Sequence, residues 1–209
     1  ELEAALHLLS KKTPGGRCDL RLRISVEGMM FCLGKISNFT VLRHSRSQAF
    51  YAKQAEILHT LGKIYILSNP EKFLWSCLSL YNIAARMHSP RYLSLASGDL
   101  AMALSGSGKP QLASHLFDDA VRISQQRPNR RTEAVAYSRQ GYRRLFEGKS
   151  MEAISCFRKA LEGFSLAGEQ WEMLSSLGGL GQCYFELSDF ANAETVYKEL
   201  GDSAVDLKN

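Results

Sequence analysis

Tyr137-x-x-x-Gly141 … Ala153-x-x-x-Phe157-x-x-Ala160-Leu161 is answered further along the chain by Leu177-x-x-x-Gly181-x-x-Tyr184 … Phe190-x-x-Ala193-x-x-x-Tyr197-x-x-Leu200. Each copy reads as a pair of antiparallel helices. Gly141 and Gly181, with Ala153 and Ala193 twelve positions after them, stand where the two helices of a pair cross, and a larger side chain there would hold the backbones apart. Phe157 and Tyr197 follow one helical turn later on the same face. They are expected to fill the gap between one helix pair and the next.

The pattern extends upstream. Ala49 to Leu67 reads as a helix carrying Leu61-Gly62-x-x-Tyr65, the chain turns at Ser68-Asn69-Pro70, and Glu71 to Met87 returns. Asn or Ser suits the cap, and proline suits the first helical position. A further pair is predicted from Pro90 to Leu104 and Gln111 to Ser124, with Ala101 in the small position and Ala113, Phe117 and Ala120 on the returning helix. Gly62, Ala101, Gly141 and Gly181 lie 39, 40 and 40 residues apart by subtraction of their numbers.

The fold expected is therefore all-α, a right-handed α-solenoid of antiparallel helix pairs. Its pairs are placed at 46–88, 89–127, 130–167 and 169–207. Residues 1–45, here called the leader, are expected to be a partial N-terminal helical repeat and linker: a short helical run to Ser10 that reads as the end of a hairpin's second helix, a loop over Lys11-Lys12-Thr13-Pro14-Gly15-Gly16 and a helix from Asp19 to about Leu33. The Arg-alternating start of that last segment also fits a strand, but a lone strand would have no partner. Asn38 to Ser45 is expected to be an irregular link.

The Leu61-Gly62-x-x-Tyr65, Ala113/Phe117/Ala120, Ala153/Phe157/Ala160 and Leu180-Gly181-x-x-Tyr184 … Asp189-Phe190-x-x-Ala193 sets resemble tetratricopeptide repeats over roughly Arg46 to Leu200. The long repeats, the proline turn after Ser68-Asn69 and the Lys11 to Gly16 loop before an Arg-rich helix are similar to the C-terminal repeat region of signalling proteins. In those proteins an AAA-type or related ATPase is coupled to a class III adenylate or guanylate cyclase, or sometimes to a kinase. The resemblance implies a sensory or scaffolding arm with no catalytic residue of its own, and any ATPase or cyclase would lie upstream of Glu1.

Other chemistries lack their residues. Gly106-Ser107-Gly108-Lys109-Pro110 has Ala103 and Pro110 where a phosphate loop needs Gly and Ser or Thr. Gly178-Gly179-Leu180-Gly181 has neither the spacing nor the preceding strand of a dinucleotide fingerprint. His7, His44, His59, His88 and His115 show no metal-ligand spacing, and no serine or cysteine has a partner base. No metal, cofactor or enzymatic activity is expected. The odd set Cys18, Cys32, Cys77, Cys156 and Cys183 contains no Cys-x-x-Cys and reads as reduced, mostly buried thiols of a cytoplasmic protein. No run of about 18 uncharged apolar residues is present to insert into a membrane. Asn38-Phe39-Thr40 matches the glycosylation acceptor pattern by chance on this reading.

Two surfaces remain for function. Counting the groove-facing positions of each first helix gives a protein- or peptide-binding lining that includes His59, Lys63, Met102, Ser138, Tyr142, Gln182 and Phe185, suited to an apolar helix or a neighbouring domain of the same protein. The net charge of +5 is concentrated between Arg122 and Lys149. That arginine-rich segment carries the alternative, a nucleic-acid-binding repeat in which Arg127, Arg130, Arg131, Arg139, Arg143 and Arg144 meet phosphates while Tyr137 and Tyr142 stack on bases.

Overall fold

In the computed structural model, residues 1–9, 11–37, 47–105, 109–126 and 129–206 are described. They form helices α1 (Leu2–Leu8), α2 (Arg17–Ser37), α3 (Gln48–Ser68), α4 (Pro70–Arg86), α5 (Pro90–Ser105), α6 (Pro110–Ser124), α7 (Arg130–Phe146), α8 (Ser150–Ala167), α9 (Gln170–Glu186) and α10 (Phe190–Asp206). No strand occurs among the described residues, so the all-α expectation holds and the Arg-alternating segment is helical. The expected link over 38–45, with the Asn38 acceptor pattern, lies outside the described residues.

The helix boundaries follow local chemistry. Pro70 is the first residue of α4, and the Asn69 side chain accepts from the Lys72 N–H at 2.9 Å. Asn129 and Thr132 cap each other at the start of α7: the Asn129 side chain accepts from the Thr132 N–H at 3.0 Å, and Thr132 Oγ1 accepts from the Asn129 N–H at 2.9 Å. These bonds satisfy donors that an α-helix leaves open in its first turn. Gly168 ends α8 with φ of +68°, in the left-handed region that glycine enters without Cβ strain.

The chain divides into two compact units, residues 1–107 and 108–209. The pair expected over 89–127 is split by this division: α5 belongs to the first unit and α6 to the second. In the first unit α3 packs on α4, α4 on α5, α2 on α4 and α1 on α3. Its interior includes Leu6, Leu58, Leu61, Trp75, Leu80 and Leu100. Polar groups tie the leader to it. Glu27 on α2 accepts from Lys11 Nζ at 2.7 Å, Ser79 Oγ at 3.0 Å and Asn82 Nδ2 at 2.7 Å. Gln54 Nε2 donates to the Leu9 carbonyl at 2.5 Å, and the Tyr65 hydroxyl donates to the Glu3 carboxylate. Burial, and then that bond to Glu3, raise the Tyr65 phenol above its ordinary range.

In the second unit α6 packs on α7, α7 on α8, α8 on α9 and α9 on α10. Phe157 is its centre, wholly buried among Leu145, Leu177, Leu180 and Tyr184. A Cβ added at Gly141 would stand 2.8 Å from the Phe157 ring, and one added at Gly179 would stand 2.4 Å from it. The ring thus fills a slot between α7 and α9 that exists only because both helices carry glycine where they face it. Gly181 admits Tyr197 of α10 in the same way, at 2.7 Å. At the other end of the α7–α8 pair, a Cβ at Gly163 would reach within 2.7 Å of Ala134. In the first unit the small position Gly62 faces Ser76 Oγ, 3.3 Å from an added Cβ, and Ala101 is completely buried.

The cysteines correct one expectation. Cys77 and Cys183 are buried and Cys156 is half-buried, but Cys18 and Cys32 are exposed on α2, so the thiols are not mostly buried. Burial, with Glu186 nearby, pushes the Cys183 thiol up to about 12. It stays protonated and unreactive at neutral pH.

Candidate functional site

The expected groove residues fall on both units, and each set belongs to its own unit. On the first, His59 of α3 sits with Nδ1 3.8 Å from Asp99 Oδ2 of α5, and both side chains are 16% exposed. Lys63 and Met102 are half-buried. On the second unit, Ser138 is 1% exposed and is a correction: Ser176 Oγ donates to its hydroxyl at 3.3 Å in the packed layer between α7 and α9, leaving it no surface to offer. The counting rule fails there because two small serines let α7 and α9 approach until the fifth position closes.

Tyr142 is half-buried, and its place is fixed. The hydroxyl donates to the Ser175 carbonyl at 2.7 Å, and its ring meets Phe157 edge-on with centroids 5.0 Å apart. On its other side the Tyr142 ring stacks on Phe146, which in turn stacks on Phe117. Phe146 is 51% exposed and Phe117 is buried, so this row of rings comes to the surface at Phe146 and returns to the interior at Phe117.

Gln182 and Phe185 are exposed at the end of α9. Gln182 Nε2 donates to Glu186 Oε1 at 3.3 Å, and Ser150 Oγ donates to Glu186 Oε2 at 2.7 Å. The second bond ties the end of α9 to the start of α8, bringing the α7–α8 and α9–α10 turns together. Phe185 meets Phe190 edge-on with ring centroids 5.7 Å apart, and both rings remain more than half exposed. The result is one end of the unit carrying the open rings Phe146, Phe185 and Phe190, with Gln182 and the Glu186 carboxylate among them. The groove count includes Phe185 and omits Phe146 and Phe190. These two flank the turns, which positions counted along the middle of a first helix do not reach.

The members of the arginine segment differ in burial and in partners. Arg139 is 2% exposed and its guanidinium lies 3.8 Å from Glu172, a partner buried with it between α7 and α9. Arg143 is shared between Asp118 and Glu147, Arg144 between Glu147 and Glu152, and Arg131 meets Glu169 at 2.8 Å. Arg130 is exposed, and Arg127 lies outside the described residues. Tyr137 is half-buried with Lys159 Nζ 5.2 Å from its ring centre. Glu147 concentrates this charge: although desolvation raises its pKa, hydrogen bonds from Lys149 and Arg143 win and hold it down at about 2.

Among the described residues no helix is long and apolar enough to cross a membrane. No protein-family model matches the chain, and no curated protein matches its sequence.

Proposed function

We propose that the chain is a non-catalytic, tetratricopeptide-like scaffold that holds a protein or peptide. In this reading the helix pairs within each unit are repeats of about 40 residues stacked in the right-handed sense. Their role is the regulatory or sensory arm of a larger signal-transduction protein of the cyclase or ATPase type, working in the cytoplasm.

The observation that carries this reading is the aromatic end of the second unit. Phe146, stacked on Tyr142 and Phe117, and the edge-on pair Phe185 and Phe190 expose their rings beside a glutamine and a carboxylate that can orient a polypeptide backbone. Large aromatic side chains bury much apolar area with few rotatable bonds, which is why they anchor protein interfaces. A segment presenting apolar side chains on one face is the occupant they suit.

The experiment is selection of binders from a peptide library on the whole chain. Their affinities are then measured by fluorescence anisotropy for the wild type and for the Phe185→Ala and Gln182→Ala variants. Weakening of at least about fivefold by Phe185→Ala, a loss near 1 kcal/mol, is expected of an aromatic anchor. Unchanged affinity in both variants contradicts the assignment of this surface.

A further inference from the structure

The two helix ends that meet at the aromatic end of the second unit differ in charge. α7 closes on Arg143 and Arg144, with Lys149 just beyond, and these cations are held by Asp118, Glu147 and Glu152. α9 closes on Phe185 and Glu186 and has no basic residue in its last turn. The partial negative charge on its last carbonyls therefore adds to that of Glu186.

Glu186 is exposed, and neutral donors hold both of its oxygens: Gln182 Nε2 at 3.3 Å on Oε1 and Ser150 Oγ at 2.7 Å on Oε2. Such donors fix a carboxylate in place without cancelling its charge, and each oxygen keeps room for a further donor. Among the described residues no lysine or arginine forms an ion pair with it. Asp189, next to Phe190, is likewise met by neutral donors, the Asn192 N–H at 3.3 Å and side-chain amide at 2.6 Å. It stands at the start of α10, whose dipole answers part of its charge, so Glu186 is the stronger attractor of a cation.

The rings lie on the same side as this charge. Gln182, Phe185 and Glu186 fall within about 100° around the helix axis. Phe190 meets Phe185 edge-on at 5.7 Å, with both rings more than half exposed. A side chain that suits both features has a flat or apolar body for the rings and a positive head for the carboxylate. Arginine combines them, because its guanidinium stacks on an aromatic face and donates paired N–H bonds to a carboxylate. Lysine brings the charge without the plane. A hard metal ion takes several oxygen ligands, and no group of three His, Cys, Asp or Glu that could hold one occurs among the described residues.

We propose that the polypeptide held at the aromatic end carries an arginine beside its apolar anchors, paired with Glu186 and lying against the Phe185 and Phe190 rings. This rests on the peptide-binding reading above and names the residue that the partner must bring.

The test starts from the binders selected on the whole chain, which are expected to share an arginine flanked by apolar residues. In one binder that arginine is replaced by lysine, and separately by the uncharged norleucine. Fluorescence anisotropy at low salt should show norleucine weakening binding about tenfold and lysine less, the order expected of a contact that is both charged and stacked. In Glu186→Gln, whose side chain still offers an acceptor to Ser150, the arginine and norleucine peptides should bind within about twofold of each other. Binders that share no arginine overturn the proposal, as does a gap between the two peptides that persists in Glu186→Gln. If those binders are still weakened by Phe185→Ala, the peptide-binding reading stands without the arginine. Binders indifferent to Phe185→Ala and Glu186→Gln alike remove both. Self-association in sedimentation that Glu186→Gln abolishes would make a second copy of the chain the source of the cation, which also overturns the proposal.

Discussion

The two units solve the same packing problem with different materials. In the second, helices approach because glycine faces an aromatic ring: Gly141 and Gly179 around Phe157, and Gly181 against Tyr197. In the first, the corresponding glycine meets a serine hydroxyl, and the leader is fastened by the Glu27, Gln54 and Tyr65 hydrogen bonds. The comparison teaches that a shared spacing of small residues need not imply a shared source of specificity. A ring in a glycine slot selects by shape, whereas a half-buried carboxylate surrounded by donors selects by satisfaction, since leaving it unpaired would be costly.

The sharpest way to break this contrast is to remove the ring. Phe157→Ala should cost about 3–5 kcal/mol in chemical denaturation, because the side chain is fully buried and both neighbouring helices are shaped to it. A loss below about 1 kcal/mol would mean that the slot collapses easily and the glycines are incidental.

A graded series then sharpens it. Gly179→Ala should destabilise by about 1–3 kcal/mol, as overpacking against an immobile ring does. Gly181→Ala should cost less, because Tyr197 is 40% exposed and can swing outward. Gly62→Ala should cost least, its nearest obstacle being a serine hydroxyl 3.3 Å away. The same denaturation measurements check the order, and an inverted ranking would remove the distinction between the units.

The smallest effect concerns charge. Glu147 is held at about 2 against an ordinary 4.5, so its network contributes stability above pH 4.5 and loses it as pH falls toward 2. Glu147→Gln should therefore be slightly less stable than the wild type at pH 7 and equal to it near pH 2, measured by denaturant midpoint at each pH. The effect is modest because these side chains are partly exposed and screened. A gap that widens on acidification would show that the carboxylate is not stabilised where it sits.

These contrasts also explain what the sequence made legible. Helix starts were readable wherever a cap and a proline stand together, as at Asn69-Pro70, because the signal is local. The importance of Gly141, Gly181, Phe157 and Tyr197 was readable because the motif repeats, but that each ring lies directly on its glycine was not, since the spacing set the glycines opposite Ala153 and Ala193. Glu27 was not, since its donors Ser79 and Asn82 come from another helix, and a lone glutamate on an amphipathic helix reads as surface. Arg139 was misleading for the same reason: its partner Glu172 lies one helix pair away, and an arginine cluster in sequence says nothing of which members face inward. Ser138 failed as a groove residue because small side chains bring α7 and α9 too close for the standard count. Gly163 lies outside the repeated pattern, so its contact with Ala134 carried no signal.

The central claim, that glycine and ring in the second unit are fitted to each other, is tested most directly by a double-mutant cycle on Gly179→Ala and Phe157→Leu. A leucine in place of the ring should make room for the added methyl. The account predicts that the double variant is more stable than the sum of the single losses by about 1 kcal/mol or more, a coupling typical of residues in contact. Losses that add within about 0.3 kcal/mol would contradict it.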